Sequence, residues 1–581
     1  MVAPWSRQPT PIHVSIKRVL LIWVGVTLFG LLFLTLQGCA EPGAAQTQVV
    51  SGVVRTESGA PVSGATVRVQ TTPFKTTSQL DGRFTLSIDQ SVEQIALTAW
   101  AAGYFINGPE LVNPSDTDIE LILHPHATVD NPDYEWLTSL YHSNQGEDQG
   151  CAACHSAKGT GLTYSLPVDE WQLDAHANSA RNPRFLTMYS GADILGNQSP
   201  STQYVSKKDY GTEPVKPDPN LPYFGPGYKL DFPDTTGNCA ACHTPAAAIM
   251  DPYGTDPTNL GGVAAEGIPC DFCHKIWDVI LDSQTGLPNQ NMPGVLSYDF
   301  RRPPEDQQFF AGPFDDVAPG EDTYSALQTQ SQFCAPCHYG VFWDVLVYDS
   351  FGEWMRSPYS DAENGQTCQD CHMPRLGGNH FALPEQGGLE RDPSTIFSHR
   401  MPGSSDPDLL QNAVSMDVNA ALVGSILQVQ VTLTNDQTGH HVPTDSPLRH
   451  LILLVNAEAA SGKPLTQRDG PRLPDWVGIG DQREGYYAGL PGTVYAKVLA
   501  EQWTNTSPSA AYWNPTYLVS DNRLAPFSSD DTNYSFDALN RSPVRIHVRL
   551  LYRRAFIELA QQKGWGTPDI LMEDMFLEIV P

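Results

Sequence analysis

The sequence predicts a multidomain protein with an N-terminal β-sandwich, a loop-rich, mainly α middle region, and a C-terminal β-sandwich-like domain docked on that region. Three observations lead to this prediction. The chain has 581 residues, too many for one ordinary domain. Apolar and polar residues alternate near both ends, as in strands with one buried face. Between these ends, one cysteine motif recurs five times in a stretch rich in Pro and Gly.

The repeated motif is Cys-x-x-Cys-His, the attachment motif of c-type haem. Its two thiols can each bond one vinyl group of the porphyrin, and the adjacent imidazole can ligate the iron. The motif therefore predicts five covalently bound haem c groups, and the middle region becomes a multihaem domain. The ten thiols predicted to bind the cofactors are those of Cys151, Cys154, Cys239, Cys242, Cys270, Cys273, Cys334, Cys337, Cys368 and Cys371.

Other cysteine sites fit the motif less well. A zinc ribbon does not require His directly after each cysteine pair. A thioredoxin-like redox pair would occur once, and a disulfide framework would leave some cysteines outside the motif. Here every cysteine after Cys39 belongs to a complete motif. Haem attachment is therefore the favoured interpretation.

The charge of the chain limits its partners. The formal net charge is −31 at pH 7, and haem propionates would add to it. Nucleic acid is therefore not expected as a partner, because binding to phosphates needs a basic surface. Basic redox proteins or membrane electron donors fit an acidic surface better.

The N-terminal residues 1–38 have the features of a lipoprotein signal peptide. Arg7, Lys17 and Arg18 precede an apolar run from Val19 to Leu36. The run ends Leu-Gln-Gly-Cys, which resembles the bacterial lipoprotein signal with Cys39 as the lipidated residue. Residues 39–47 would then form a tether. The alternative is an uncleaved transmembrane helix. Either anchor predicts an exported chain attached to a membrane, facing the periplasm or the cell exterior.

Residues 48–124 have alternating valines and threonines, interrupted by turn residues. The phrases GAPVSGATVRV, DGRFTL and LTAWAAGY resemble the carboxypeptidase-regulatory-like domain. This resemblance implies a seven-stranded, transthyretin-like β-sandwich that acts as a spacer or adhesion module. Asp81 is interpreted as a turn residue rather than a metal ligand.

Residues 130–405 carry the five motifs, with short helices expected around each one and long Pro- and Gly-rich loops between them. The phrase EWQLDAHANSARNPRF resembles a helix of the cytochrome c-554-like multihaem family, which implies that His176 is a distal iron ligand. A second phrase, EWMRSPYSDAENGQTCQDCH, has Tyr359 roughly in the place of that His. The two phrases suggest an internal duplication.

Residues 406–581 become strand-like again, most clearly in ILQVQVTLTN and RHLILLVNAE. The phrase GHHVPTDSPLR resembles the GH-x-x-PTG-x-P-x-R phrase found in the C-terminal β-domain of some multihaem cytochromes, with Asp445 in place of the usual Gly. The resemblance implies a ligand role for His440. It covers roughly residues 135–581.

Each iron has two axial positions, and the attachment histidines are predicted to fill one of them. These are His155, His243, His274, His338 and His372. A second His or a Met gives a six-coordinate electron-transfer centre, whereas an open position allows a small molecule to bind. The histidines chosen for the second position are His142, His176, His380, His399 and His440.

The basis of these choices differs. His142 and His380 are chosen for their closeness in sequence to attachment motifs, and His399 for a position like one used in relatives. His441 could replace His440, but neighbours on a strand point to opposite faces, so only one of them can serve a given iron. His450 and His547 lie in strand-like sequence and are interpreted as ordinary polar or packing residues.

The distribution of histidines predicts how the regions are arranged. Between His176 and His380, every His belongs to an attachment motif. Distal ligands of the second, third and fourth haems must therefore come from the flanking sequence. Because part of that sequence is the C-terminal domain, this domain is predicted to dock on the haems. The first cysteines of the second and third motifs are 31 residues apart and those of the fourth and fifth are 34 apart, which suggests two close pairs.

The leading functional hypothesis is an electron carrier rather than an enzyme. A membrane-anchored pentahaem cytochrome would pass electrons outside the cytoplasm. The alternative is a multihaem oxidoreductase that acts on a small nitrogen or sulfur compound at a haem with an open axial position. Pentahaem nitrite reductases have Lys in place of one attachment His, and no such motif occurs here. A haem-bearing adhesion protein is a third possibility.

Overall fold

A computed structural model describes residues 47–580 apart from 89–92, 141–149, 201–203, 208–210, 319, 376, 539–542 and 567. The predicted signal peptide, Cys39 and His142 lie outside the described residues. Among the residues that are described, no helix is both long and apolar enough to cross a membrane.

The N-terminal region is a seven-stranded β-sandwich. One sheet has the order β4-β1-β7 and the other β3-β2-β5-β6. Strand β4 is buried at every second residue, as expected for a strand with one face in a core. Asp81 accepts the backbone N–H of Arg83 and so acts as a turn residue. The strands are β1 (Gln48–Thr56), β2 (Thr66–Val69), β3 (Lys75–Thr77), β4 (Arg83–Ile88), β5 (Ile95–Trp100), β6 (Asn107–Val112) and β7 (Ile119–Leu123).

The middle region is built from short elements joined by loops. Its helices are α1 (Ala152–His155), α2 (Pro167–Trp171), α3 (Pro183–Ser190), α4 (Tyr228–Asp231), α5 (Ala240–His243), α6 (Pro245–Ala248), α7 (Cys270–His274), α8 (Ser350–Met355) and α9 (Cys368–His372). Its strands pair in twos and are β8 (Tyr204–Lys207), β9 (Gly211–Pro214), β10 (Ile276–Val279), β11 (Tyr298–Phe300), β12 (Phe310–Gly312), β13 (Asp322–Tyr324), β14 (Gly340–Phe342) and β15 (Val345–Tyr348).

The prediction of a mainly α middle region is not supported, because strand pairs and 3-10 turns are as prominent as α-helices. The longest helix described there, α3, has eight residues. Helices this short have a costly nucleus and are held by tertiary contacts rather than by their own propensity. The local sequence therefore gives little sign of which short element forms.

The C-terminal region packs two sheets on one core. One sheet has the order β16-β17-β22-β19 and the other β21-β20-β18-β23-β24. Alternate residues of β18 enter the core between the sheets, while Ile452 and Leu454 pack on the opposite face. The elements are α10 (Pro407–Gln411), β16 (Ser415–Val423), β17 (Ile426–Asn435), β18 (His450–Ala459), β19 (Gln467–Asp469), β20 (Gly492–Glu501), β21 (Thr516–Asp521), β22 (Ser528–Asp537), β23 (Val544–Arg553), α11 (Ile557–Lys563) and β24 (Ile570–Ile579).

Both β-regions contact the middle region. The N-terminal sandwich reaches it through Arg68, whose Nε lies 2.5 Å from Asp315 Oδ1. At the C-terminal end, Trp513 Nε1 donates to Asp231 Oδ2 at 2.7 Å, and Lys563 Nζ donates to the carbonyl of Thr187 at 3.0 Å. Lys563 is fully buried. The segment between β17 and β18 enters the middle region and carries His440.

Candidate haem-attachment sites

Each cysteine motif forms a single helical turn. In the first motif, the backbone N–H of His155 donates to the carbonyl of Cys151 at 2.9 Å, and in the second, His243 makes the same bond to Cys239 at 3.1 Å. The fourth motif repeats this bond from His338. A helical turn places residues three and four apart on one side. Both thiols and the imidazole of each motif therefore share one side, as haem attachment requires.

Most of the predicted ligand imidazoles donate their Nδ1 proton to a nearby acceptor. This fixes the ring and leaves Nε2 for a metal, the usual arrangement of metal-binding histidines. The acceptors are Phe381 O for His155 at 2.8 Å, Ala311 O for His274 at 2.8 Å, Pro402 O for His372 at 2.7 Å, His441 O for His440 at 2.9 Å, Asp174 Oδ1 for His176 at 2.6 Å and Asp445 Oδ2 for His338 at 3.2 Å.

Two attachment histidines each face a histidine from elsewhere in the chain. The ring centroids of His372 and His440 are 6.3 Å apart with an interplanar angle of 20°. Those of His338 and His176 are 6.2 Å apart at 66°. Two metal–nitrogen bonds of about 2 Å, with roughly 1 Å from each nitrogen to its ring centre, span about 6 Å. Both pairs therefore have the spacing that one shared iron needs.

The electrostatics at three of the predicted ligand histidines favour neutral imidazole, the form that ligates metals. Burial and the neighbouring His440 lower the pKa of His372 to about 4. Burial and the neighbouring His176 lower the pKa of His243 to about 4. The pKa of His399 is also lowered to about 4, by burial and then by His274.

His338 differs because a carboxylate lies behind it. Burial acts against the protonated form, but the hydrogen bond to Asp445 and the charge of this carboxylate raise the pKa of His338 to about 9. Burial likewise opposes the charge of Asp445, yet the bond from His338 holds the pKa of Asp445 well below its usual range. Asp445 takes up the left-handed backbone conformation, with φ of 58°, that Gly would favour at this turn.

The other two proposed distal histidines that the structure describes, His399 and His380, have different surroundings. His399 lies near His274, and its backbone N–H donates to Glu170 Oε2 at 2.8 Å. His380 forms hydrogen bonds with Tyr164 and Asn379. Among the described residues, neither ring makes the close pairing with an attachment histidine that His176 and His440 make.

The remaining histidines have other partners. His441 Nδ1 lies 3.3 Å from Glu353 Oε1, so His440 and its neighbour have different partners. His450 is buried against Trp476 and Phe556. His547 pairs with the carboxylate of Asp574, and His124 with that of Glu57. His126 packs in an aromatic cluster with Phe105, Trp277 and Phe309.

Thiol contacts connect motifs that are distant in the chain. Cys151 of the first motif contacts Cys270 of the third, and Cys242 of the second contacts Cys337 of the fourth. Cys334 of the fourth contacts Cys368 of the fifth. Sequence spacing suggested a second–third pair and a fourth–fifth pair. The fourth–fifth contact agrees with that prediction, whereas the first–third and second–fourth contacts were not predicted, because loops of any length can bring two turns together.

Two glutamates that the sequence did not single out hold the segments that carry two of the proposed distal histidines. Glu170 accepts the backbone N–H of His399, and Glu353 accepts that of His441 at 3.0 Å. Each glutamate directly precedes a Trp in the two similar phrases of the sequence. The repeated Glu-Trp pair was the available signal. Asp174, two residues before His176, was also missed.

No family model matches the chain, and no curated protein matches it. A crystal structure of a penta-haem cytochrome c552 from Thermochromatium tepidum is similar, with 20% identity, a TM-score of 0.49, and coverage of 74% of this chain and 97% of that chain. A type II cohesin–X-dockerin complex from Acetivibrio cellulolyticus also matches, with 20% identity, a TM-score of 0.10, and coverage of 13% of this chain and 51% of that chain.

Proposed function

We propose that this chain is a c-type cytochrome with five covalently attached haem groups, and that it transfers electrons outside the cytoplasm. The observation that carries the proposal is the pairing of His372 with His440 and of His338 with His176 at 6.3 and 6.2 Å. Each pair joins an attachment motif to a distant histidine. Haem iron held by two imidazoles supplies a one-electron redox centre rather than a site for substrate.

The residues of the chain orient and enclose these centres. For six of the proposed ligand histidines, the hydrogen bond at Nδ1 fixes the ring and leaves Nε2 for the iron. Thiol contacts bring the first motif to the third and the fourth to both the second and fifth. Attachment motifs in contact support electron transfer between neighbouring centres. We propose haem-to-haem transfer along this contact order.

Membrane attachment and partners form a separate part of the proposal. The predicted signal peptide, residues 1–38, followed by Cys39, supports a lipid anchor and a location in the periplasm or at the cell exterior. The net charge of −31 supports redox proteins with basic surfaces, or membrane electron donors, as partners. Mass spectrometry of the exported chain should find Cys39 at its N-terminus with a lipid attached, whereas a Cys39→Ser variant should lack the lipid and retain residues 1–38. An unaltered chain without a lipid at Cys39 would refute the lipid anchor.

Two measurements on the purified holoprotein test the redox function. A pyridine haemochrome assay should give about five haem groups per chain, as the five motifs predict. Electron paramagnetic resonance of the oxidised protein should show only low-spin ferric signals. A high-spin ferric signal that shifts on addition of nitrite or hydroxylamine would instead support the oxidoreductase alternative, because it shows an open axial position.

A further inference from the structure

Two carboxylates lie behind the same pair of facing histidines. Asp174 Oδ1 accepts the Nδ1 proton of His176 at 2.6 Å, and Asp445 Oδ2 accepts that of His338 at 3.2 Å. We propose that Asp174 and Asp445 lower the reduction potential of the fourth haem below that of the fifth. This inference rests on the proposed function, specifically on shared ligation of the fourth iron by His176 and His338.

The fifth motif provides a comparison within the same chain. His372 and His440 face each other at nearly the same distance, but their Nδ1 protons go to the carbonyls of Pro402 and His441. His155 and His274 of the first and third motifs also donate to backbone carbonyls. Among the proposed axial histidines in the described part of the chain, the two at the fourth site, His176 and His338, are those whose Nδ1 proton is accepted by a carboxylate.

The physical effect follows from the charge of the acceptor. A carboxylate draws the Nδ1 proton more strongly than a neutral carbonyl does, so the imidazole gains negative character and becomes a stronger donor to the metal. A stronger donor stabilises ferric over ferrous iron, which lowers the potential of the one-electron couple. Carboxylates behind both rings act in the same direction.

Both carboxylates are held firmly in place. The Asp174 side chain is 3% exposed, and its Oδ1 also accepts the backbone N–H of His176 at 2.7 Å. The Asp445 side chain is 16% exposed, and Ser350 Oγ donates to its Oδ1 at 2.6 Å. With Oδ1 occupied by Ser350, Oδ2 is the oxygen that faces His338. Low exposure strengthens the effect, because water screens a buried charge poorly.

The fourth motif contacts both the second and the fifth, so the reduction potential of its haem affects electron transfer between those two. The fourth motif contacts the second through Cys337 and Cys242, and the fifth through Cys334 and Cys368. A low potential there places an energetic step between the second and fifth haems. Electrons equilibrating over these three centres would reside on the fourth haem least when its two carboxylates are present.

The test is a spectroelectrochemical titration of the full holoprotein and of three variants, Asp445→Asn, Asp174→Asn and Asp445→Gly. Asn keeps the shape of the side chain and tolerates positive φ, while Gly suits the φ of 58° at this position. We expect each variant to move one redox wave upward and to leave the others near their wild-type positions. The same haem should keep a low-spin ferric signal with altered g values.

Two further variants assign the waves and control for charge. His440→Ala should alter the wave of the fifth haem, so that its potential can be compared with that of the fourth. Asp361→Asn removes a fully exposed carboxylate that caps the turn before the fifth motif and lacks a bond to an axial histidine. This control should leave all waves in place.

Three results would overturn the inference. Unmoved waves in all three variants, with low-spin signals retained, would show that the carboxylates do not tune the iron while leaving the proposed function intact. An equal shift in Asp361→Asn would show a general charge effect. If His176→Ala does not convert one haem to high spin, the proposed ligation of the fourth iron fails, and this inference fails with it.

Discussion

Glu353 and Arg523 form a buried ion pair, with Arg523 Nη1 2.8 Å from Glu353 Oε1 and the two side chains 0% and 5% exposed. The pair joins helix α8 of the middle region to the C-terminal β-region. Glu353 also accepts the backbone N–H of His441 and the hydroxyl of Thr444. The ion pair therefore fixes the segment that carries His440 to the helix that precedes the fifth motif.

Breaking this ion pair should destabilise the protein. Glu353→Gln leaves the buried Arg523 charge with less compensation, and removal of one partner of such a pair costs roughly 3 kcal/mol or more in the free energy of unfolding. Denaturant unfolding of the holoprotein measures the change. The matched control, Asp481→Asn, disrupts the exposed pair with Arg483 and should have a much smaller effect, because water screens exposed charges. Similar losses in the two variants would contradict the role of Glu353.

Under the proposed ligation, replacement of His440, but not of its neighbour, should remove an axial ligand from the fifth iron. His440→Ala removes the ring that faces His372, so one low-spin ferric signal should be replaced by a high-spin one. His441→Ala removes the ring on Glu353 and should leave the number of low-spin haems unchanged. Electron paramagnetic resonance distinguishes the two outcomes. A high-spin signal in His441→Ala alone would reverse the assignment.

Gly267 should be intolerant of a side chain. Its φ is 75°, and a Cβ there would lie 2.3 Å from the carbonyl oxygen of His176. Gly267→Ala should therefore lower the free energy of unfolding by about 1–3 kcal/mol. It should also displace His176, which increases the high-spin fraction of the fourth haem.

Gly261→Ala is the matched control for this substitution, because no atom lies within 4 Å of the Cβ that it would add. Thermal unfolding and electron paramagnetic resonance should leave this control close to the unaltered protein. Wild-type stability and spin state in Gly267→Ala would show that the backbone of His176 yields without cost.

His450 should make the fold sensitive to acid. Burial, and then the charge of Arg553, lower the pKa of His450 to about 3, from 6.5 in the unfolded chain. Between these values the unfolded state binds more protons, so stability is fully present above pH 6.5 and is lost as pH falls towards 3. The loss is at most about 1.4 kcal/mol per pH unit.

His450→Leu keeps a similar volume and removes this titration. The difference in unfolding free energy between pH 7 and pH 5 should therefore be smaller in the variant than in the unaltered protein, whatever the absolute stability. Denaturant unfolding at the two pH values checks this. An unchanged difference would show that another group is responsible for the acid sensitivity of this region.

Parts of the fold followed from local sequence and parts did not. Alternation in β4 and β17 predicts strands because a residue and its second neighbour share a face. The five motifs predict helical turns that present two thiols and an imidazole. The middle region was harder, since one-turn helices such as α5 depend on contacts made by distant residues.

The sequence by itself determined the attachment motifs, the strand-rich ends and a set of candidate axial histidines, because each is written in a local spacing of residues. Only the tertiary structure decided which histidine faces which motif and which acceptor lies behind each ring. His176 pairs with His338 across 162 residues, and Asp445 reaches His338 across 107. Such partners are chosen by packing and buried charge, and no local pattern encodes them.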